Sequence, residues 1–385
     1  MPRKHYEAII IGAGSVGVPA AWALAQVGIQ TLVLDSLPSV GQGSNKTAIG
    51  GIRATHSDPA KIRLGLRSIE IFSTWQETFG DDIEWYKGGY SFVAYGEREE
   101  EILKDLLEIQ HSYGLDIDWL DKEALLEVIP DLNREALVGG TFSPRDGNAS
   151  PLLAIHAFYR HAQRKGTEFH FGECVTAIGV KGGRVHTVKT DKAEYGADVV
   201  VNAAGPWANE VARLVGLDTP VRPDSHEAAI TEAVARFLDP MVVDIRPLPG
   251  SSNFYFYQHY TGQIVFCITP SPNIWGFDRR ATSDFLPMVS RRLLDVMPKL
   301  KNIRVRRAWR GLYPMTPDGF PIVGWSQEVE GFMFAVGLCG QGFMLGPGLG
   351  ELMARMVEDD LEPEDHEVLV ALSPYREFVG QEQLK

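Results

Sequence analysis

The sequence predicts an α/β protein in two unequal parts: a Rossmann-like domain assembled from separated segments, and an inserted domain built on a mostly antiparallel sheet. Three observations carry this. A G-x-G-x-x-G motif (Gly12, Gly14, Gly17) stands between a short apolar run and an alanine-rich stretch. A second apolar run, "DVVVNAAG", closes a hairpin-rich region near residue 200. Between about 220 and 312 the pattern changes to alternating, aromatic-rich segments such as "NFYFYQHY" and "GQIVFCIT", which read as antiparallel strands.

The first motif is the most informative. Ala8 to Ile11 are continuously apolar, as in a parallel strand buried on both faces. Gly12 allows the tight turn, Gly14 lets a phosphate approach the backbone, and Gly17 lets helix and sheet pack closely. Ser15 and Val16 open the helix, whose N-terminus offers N–H groups and positive potential to an anion. Pro19 is tolerated because it falls in or near the first turn. Gly28 ends the helix, "TLVLD" reads as the second strand, and Asp35, followed by Ser36, is placed to accept hydrogen bonds from a ribose. Strand, loop, helix, strand and terminal acid predict a bound dinucleotide, without choosing between FAD and NAD.

The rest of the chain follows in order. An amphipathic helix starts at about Pro59. "GGYSFVAYGE" reads as a strand, and "REEEILKDLLEIQHSYG" as a helix ended by Gly114. Ser150 and Pro151 form an Ncap–N1 pair for a further helix. Short strands follow Gly166, with a hairpin turning at Lys181–Gly183. A helix, "TSDFLPMVSRRLLDVMPKL", interrupts the aromatic strands, and from about 313 the chain returns to glycine-rich turns, an apolar strand and a final helix. The boundaries expected are 1–85, 145–219 and 313–385 for the nucleotide domain, and 86–144 and 220–312 for the substrate domain.

Composition narrows the function. Over 385 residues, 44% hydrophobic and 23% charged residues are ordinary for a globular enzyme. A net charge of −13 argues against nucleic acid or an anionic membrane as the main partner. Cys174, Cys267 and Cys339 share no metal-binding spacing, so no metal site is expected, and three buried or semi-buried thiols fit a reducing compartment. The N-terminal basic and apolar residues are broken by Glu7 and by glycines, and no later window has ~18 uninterrupted apolar residues. A cytoplasmic location is the expectation.

"GLCGQGFMLGPGLGE", residues 337–351, holds six glycines and one proline among buried-type residues. With "IIIGAGSVG…LVLD", "DVVVNAAGPWA" and "GLYPMTPDGFPIVG", it resembles the FAD-dependent amino-acid and amine oxidoreductases of the D-amino acid oxidase (DAO) family, such as sarcosine oxidase, glycine oxidase and the β subunits of dye-linked L-proline dehydrogenases. The resemblance covers nearly the whole chain. It implies an FAD-binding Rossmann-like domain of the glutathione-reductase type, with the flavin at the domain boundary. Gly12, Gly14 and Gly17 would then hold pyrophosphate and Asp35 the ribose. Ser44, Asn45 and Lys46 would sit near pyrophosphate or ribitol, and the Val175 backbone would meet adenine. Ala204 and Gly205 would let the chain pass close by. Trp207 either shields the site or is a plain core residue.

Gly340, Gln341, Gly342, Phe343 and Met344 would run along the flavin ring, with Pro347 in the first turn of the last helix. Where monomeric sarcosine oxidases attach flavin through a cysteine, this chain has Arg310, Gly311, Leu312 and Tyr313, and no histidine stands in "GNASPLL" where heterotetrameric relatives attach FMN. The FAD is therefore expected to be noncovalent.

The resemblance also implies the chemistry: a small amino acid or secondary amine of the sarcosine, proline or glycine class, oxidised to the imine. Arg53 is the expected carboxylate clamp, its planar fork matching a carboxylate. Tyr313 stands where glycine oxidase has a carboxylate-binding arginine. Tyr255, Tyr257 and His259 share one strand face by the period of two, and either roof the cavity or form a half-exposed sheet face. His226 and His56 are candidate bases or hydrogen-bonding groups, whereas Arg222 and Arg310 fit sheet-edge or ion-pair roles. Sarcosine oxidase activates oxygen with a lysine where Val265 appears here, and has a second clamp lysine where Met344 stands. The expected reaction is a dehydrogenation, with electrons passing to a partner subunit, a quinone or oxygen. A D-amino acid or 2-hydroxy acid substrate, a β subunit active only within a hetero-oligomer, and a nucleotide-binding protein without chemistry remain as alternatives.

Overall fold

The computed structural model describes residues 3–384. In the strand His5–Ile11, Ala8 and Ile10 sink into one apolar cluster and Ile9 and Ile11 into another, because successive strand side chains point to opposite faces. Both faces are covered, which is why the segment reads as an unbroken apolar run.

This strand is central to the first sheet, ordered Ile322–Trp325, Phe332–Val336, Glu194–Asn202, His5–Ile11, Thr31–Asp35, Glu168–Phe171. The last five lie parallel. Ile322–Trp325 joins antiparallel at one edge. The hairpin Val175–Lys181/Arg184–Thr190 turns at Gly182 and Gly183, as expected, and pairs with Glu194–Asn202.

Four helices share a core on one face of this sheet: Gly17–Gln26, Pro59–Phe79, Pro151–Arg164 and Gly342–Glu358. Asp58 and Ser150 cap the second and third by accepting from Lys61 N and Leu153 N, with Pro59 and Pro151 in their first turns. The last of these four corrects two expectations, the first being that it is the chain's final helix, since Pro363–Ala371 follows it. It starts at Gly342, so Pro347 lies inside it rather than in its first turn. Leu345 N already donates to Gln341 O at 3.0 Å, and Pro347 leaves the Phe343 carbonyl without its usual helical donor.

Three glycines of the C-terminal run prove to be packing residues. A Cβ on Gly346 would stand 2.0 Å from Ser15 O, one on Gly348 2.5 Å from Leu64 O, and one on Gly350 2.8 Å from Pro19 C. They let Gly342–Glu358 lie directly against the first two helices.

The second sheet runs Val305–Met315, Arg222–Ala233, Gln263–Ser271, Gly250–Gln258, Met241–Asp244, Tyr90–Ala94, Gly139–Ser143, Asp118–Asp121. Of these neighbours only Met241–Asp244 and Tyr90–Ala94 are parallel. Both predicted insertion segments contribute strands, and Val305–Met315 crosses the expected boundary at 312/313. In Gly250–Gln258, Phe254 and Phe256 face the helix Phe285–Val296, while Tyr255 and Tyr257 face the opposite cluster. The period of two thus turns the tyrosines toward the first domain.

No helix among the described residues is long and apolar enough to cross a membrane, and no cluster of potential metal ligands occurs among them. Of the three cysteines, Cys267 and Cys339 are buried, but Cys174 is exposed. It follows directly on the turn after the edge strand Glu168–Phe171, where little covers it.

Candidate active site

The C-terminal ends of the parallel strands open into one cavity of about 460 Å³. It begins at Asp35, Ser36, Glu173 and Val175, passes Gly12, Gly14, Ser15, Val16, Ser44, Asn45, Ala204, Gly205 and Trp207, and ends among Arg53, Tyr90, His226, Tyr255, Cys267, Tyr313 and Gly340–Met344. Ligands of α/β sheets bind at this end, where loops leave the strands.

The three glycines of the first loop divide their work. Gly12 holds φ +114°, and a Cβ there would meet Ala203 O at 2.5 Å. Gly17 does not line the cavity; its Cβ would meet Gly12 O at 1.9 Å, so it serves helix–strand packing. Gly14 has no neighbour within 4 Å of a built Cβ and lines the cavity, so its backbone is open to a ligand. Asp35 accepts from Ala13 N at 2.7 Å and Leu37 N at 2.8 Å. Burial raises its carboxyl above the usual range, outweighing those two donors.

Besides Gly17, further expected residues stay outside. Lys46 is exposed and reaches Gln42 Oε1 at 3.4 Å, because the short 3₁₀ turn Ser44–Thr47 points Asn45 inward and Lys46 out. Tyr257 shares the face of Tyr255 but gives its hydroxyl to Ile49 O at 2.5 Å and does not line the cavity. His259 lies just past the end of that strand, 3.6 Å from Glu84. His56 and Val265 are buried and likewise do not line the cavity; Arg222 covers Trp275 at 4.4 Å, and Arg310 reaches Arg280 O at 3.2 Å.

The far end carries a compact polar group. The Tyr255 and Tyr313 hydroxyls are 2.7 Å apart. Burial raises both phenols, and pushes the Cys267 thiol beside them up to about 12, so all three remain protonated donors at ordinary pH. His226 stacks on the Tyr313 ring at 3.7 Å and 13°. Its Nε2 lies 3.0 Å from Asp224 Oδ2, and Asp224 is fixed by Asn273 Nδ2 at 2.7 Å and Ile274 N at 2.6 Å.

Burial lowers the His226 pKa despite the raising effect of Asp224. Burial acts to raise Asp224, but hydrogen bonds, His226 first, hold it low. An ionised carboxylate can only accept, so the ring nitrogen facing Asp224, Nε2, carries the proton, and in the neutral form that burial favours Nδ1 carries a lone pair. That Nδ1 is buried and without a partner among the described residues.

Arg53 is 4% exposed and lies at the same end, following the two-residue strand Gly51–Ile52. It donates through Nη1 to Thr55 O, contacts His56 Nδ1 at 3.1 Å, and donates through Nη2 to Leu384 O. Burial lowers its pKa, but an arginine stays charged. Among the described residues lining the cavity it is the one Lys or Arg. Acidic groups (Asp35, Glu173, Glu210) gather at the opposite end.

Tyr90, Cys267 and Asp224 were not singled out from the sequence. Asp224 had a signal, since D-x-H on a strand places both side chains on one face. Tyr90 and Cys267 look like ordinary strand residues until the sheets meet.

The DAO family profile, described as FAD dependent oxidoreductase, matches residues 7–356. The chain belongs to this family. The DAO-family assignment is joined by similarity to individual proteins. Glycine oxidase of Bacillus subtilis (strain 168) is 26% identical, over 92% of this chain and 94% of its own. Mitochondrial dimethylglycine dehydrogenase of Rattus norvegicus is 24% identical over 97% of this chain, which spans only 45% of that relative's length. The crystal structure of L-proline dehydrogenase from P. horikoshii superposes with a TM-score of 0.90 at 30% identity, covering 97% and 98% of the two chains.

The DAO family is FAD-dependent, and the cavity fits such a group. Gly14 leaves space where a side chain would stand. Asn45 Oδ1, Gln341 Oε1 and His226 Nδ1 are buried atoms without partners among the described residues, and all three residues line the cavity. Buried polar atoms are rarely left unpaired, so these await a ligand.

Proposed function

We propose that this chain oxidises a small amino acid or secondary amine, of the sarcosine, proline or glycine class, to the imine, with noncovalent FAD as hydride acceptor. The observation that carries the reading is one continuous cavity joining a dinucleotide loop to an arginine, two tyrosine hydroxyls and a histidine nitrogen that has no partner among the described residues.

Gly12 to Val16 and Asp35 would hold the adenosine diphosphate, Ser44 and Asn45 the ribitol, and Gly340 to Met344 the ring. Bound FAD supplies an acceptor for the hydride leaving the substrate Cα. Arg53 neutralises the substrate carboxylate, assisted by the Tyr255–Tyr313 pair. His226 Nδ1 takes a proton from the substrate nitrogen, and Asp224 stabilises the imidazolium that results. Burial of this end keeps water from the reacting atoms, which strengthens each of these interactions.

A dehydrogenase rather than an oxidase is favoured because no lysine is among the described residues lining the cavity. Position 344, where Met344 borders the cavity, offers no second charge to a carboxylate. The names of the similar proteins support an amine or amino-acid substrate without selecting one. Noncovalent attachment rests on Gly311 and Leu312, which line the cavity without a thiol.

Purified holoprotein tests the reading directly. Anaerobic bleaching of the flavin absorbance by one amine, and release of all flavin on acid precipitation, are expected. No bleaching with any amine or amino acid sinks the reading as stated. Bleaching only by 2-hydroxy acids transfers it to that class, and bleaching only beside an added subunit makes this a flavin-carrying component of a larger complex.

A further inference from the structure

Arg53 is held in an unusual way. Nη1 and Nη2, the end of its fork, both donate to main-chain carbonyls, those of Thr55 and Leu384. Thr55 is a near neighbour in sequence, but Leu384 is 331 positions away. Among the described residues Arg53 bonds through Nη1 and Nη2 and not through Nε, and a planar fork gripped at its end presents its Nε–H edge in one direction.

The Leu384 carbonyl is itself fixed by an elaborate anchor. The Leu384 side chain is fully buried in a cluster with Tyr90, Phe92, Met241 and Val243, all of which also border the cavity. Two residues earlier, the Glu382 side chain is completely enclosed. Its carboxylate accepts from Lys61 Nζ, from Ser57 N at 3.1 Å and Oγ at 2.6 Å, and from Leu384 N at 3.0 Å. The Gln383 N–H reaches Ser57 Oγ at 3.2 Å, and Glu382 N donates to Asp318 O at 3.2 Å.

Lys61, in the first turn of Pro59–Phe79, is also 0% exposed. Burying two charges costs several kcal/mol per ion before their attraction repays it, so such a pair is a poor general stabiliser. It does fix one geometry, because the Glu382 carboxylate is held at once by Lys61, by Ser57 and by the charge of Arg53 nearby.

We propose that Glu382 to Leu384 form a positioning strap for Arg53. The Glu382–Lys61 pair locks the strap, the Leu384 carbonyl holds Nη2, and the Nε–H edge of Arg53 is thereby aimed at the substrate carboxylate. Glu382 is a positioning residue in this scheme, since it acts on the ligand only through Leu384 and Arg53. The proposal rests on the reading of Arg53 as the carboxylate clamp.

The test uses the FAD-loaded holoprotein, with acetate as the smallest carboxylate probe and acetamide as its uncharged match. Dissociation constants are read from perturbation of the flavin absorbance, a measurement that needs no turnover. Glu382→Gln is expected to weaken acetate by about tenfold or more while acetamide changes less than about twofold. With the eventual substrate, KM should rise more than kcat falls. Leu384→Ala, which removes the packing but not the carbonyl, should show the same selective loss and guards against misfolding of the charge variant.

Equal weakening of both probes, or unchanged acetate binding in both folded variants, overturns the strap. Arg53→Ala separates the two ideas. If it weakens acetate while the strap variants do not, the clamp stands and the strap fails. If it leaves acetate unchanged, or if the native protein does not bind acetate, the clamp reading fails and the strap with it.

Discussion

Two glycines three residues apart in one loop should respond to the same added methyl in opposite ways. At Gly17 a Cβ would lie 1.9 Å from Gly12 O and 3.1 Å from Ile10 Cγ2. Ordinary contact would require the first helix to retreat from the sheet by more than about 1 Å, and overpacking of this kind costs ~1–3 kcal/mol. At Gly14 nothing lies within 4 Å, and the backbone is outside the left-handed region. Alanine there should leave the apoprotein as stable as before, or stabilise it by ~0.4–1 kcal/mol through the unfolded chain. That methyl, however, occupies the space offered to the pyrophosphate.

The expected outcome is therefore a loss of FAD affinity of about 100-fold, or ~2.8 kcal/mol, for Gly14→Ala with an unchanged apoprotein melt. Gly17→Ala should lower the apoprotein stability itself, and FAD binding only as a consequence. Denaturant melts of both apoproteins, with FAD titrations followed by fluorescence quenching, decide the matter. Native-like FAD affinity in Gly14→Ala, or native-like apoprotein stability in Gly17→Ala, would refute the division of labour.

Three further outcomes are expected. His226→Ala should lower kcat by ~10²–10⁴ at neutral pH, and the loss should shrink above the substrate amine's own pKa, where no proton need be taken; an equal loss at every pH argues against a base. Gly346→Ala drives a Cβ to 2.0 Å from Ser15 O, so it should destabilise the fold and loosen FAD together, measured by melt and by flavin retention.

The third concerns acid. Burial acts to raise the Glu382 pKa, but Lys61 and Ser57 hold the carboxyl down at about 2, against an ordinary 4.5. A depressed carboxylate contributes stability that is present above pH 4.5 and lost as pH falls toward 2, here on the order of 3 kcal/mol. Glu382→Gln should flatten the stability profile in that window, and an unchanged acid limb in urea melts counts against the buried pair.

Much of the dinucleotide half was legible because its physics is local. A strand buried on both faces must be apolar throughout, a tight turn needs Gly12, and an acid must end the second strand, so the order of residues states the site. The tyrosine face of Gly250–Gln258 was legible for a similar reason, since a period of two separates Tyr255 from Phe254 and Phe256. The same rule put Tyr257 on that face but did not say how far the facing domain extends, and its hydroxyl went to Ile49 O instead of the cavity.

The C-terminal glycines show where local reading stops. Gly340 and Gly342 border the cavity as expected, but Gly346, Gly348 and Gly350 are seams between helices, a role visible only once Ser15, Leu64 and Pro19 are beside them.

By itself, then, the sequence determined the fold class, the nucleotide loop and the family, because each depends on spacing along one stretch of chain. Only the tertiary structure decided which polar side chains share a cavity, that His226 faces Asp224, and that Arg53 donates to a carbonyl 331 positions away. Those facts depend on desolvation and on distances between remote segments, and no periodicity in the chain encodes either.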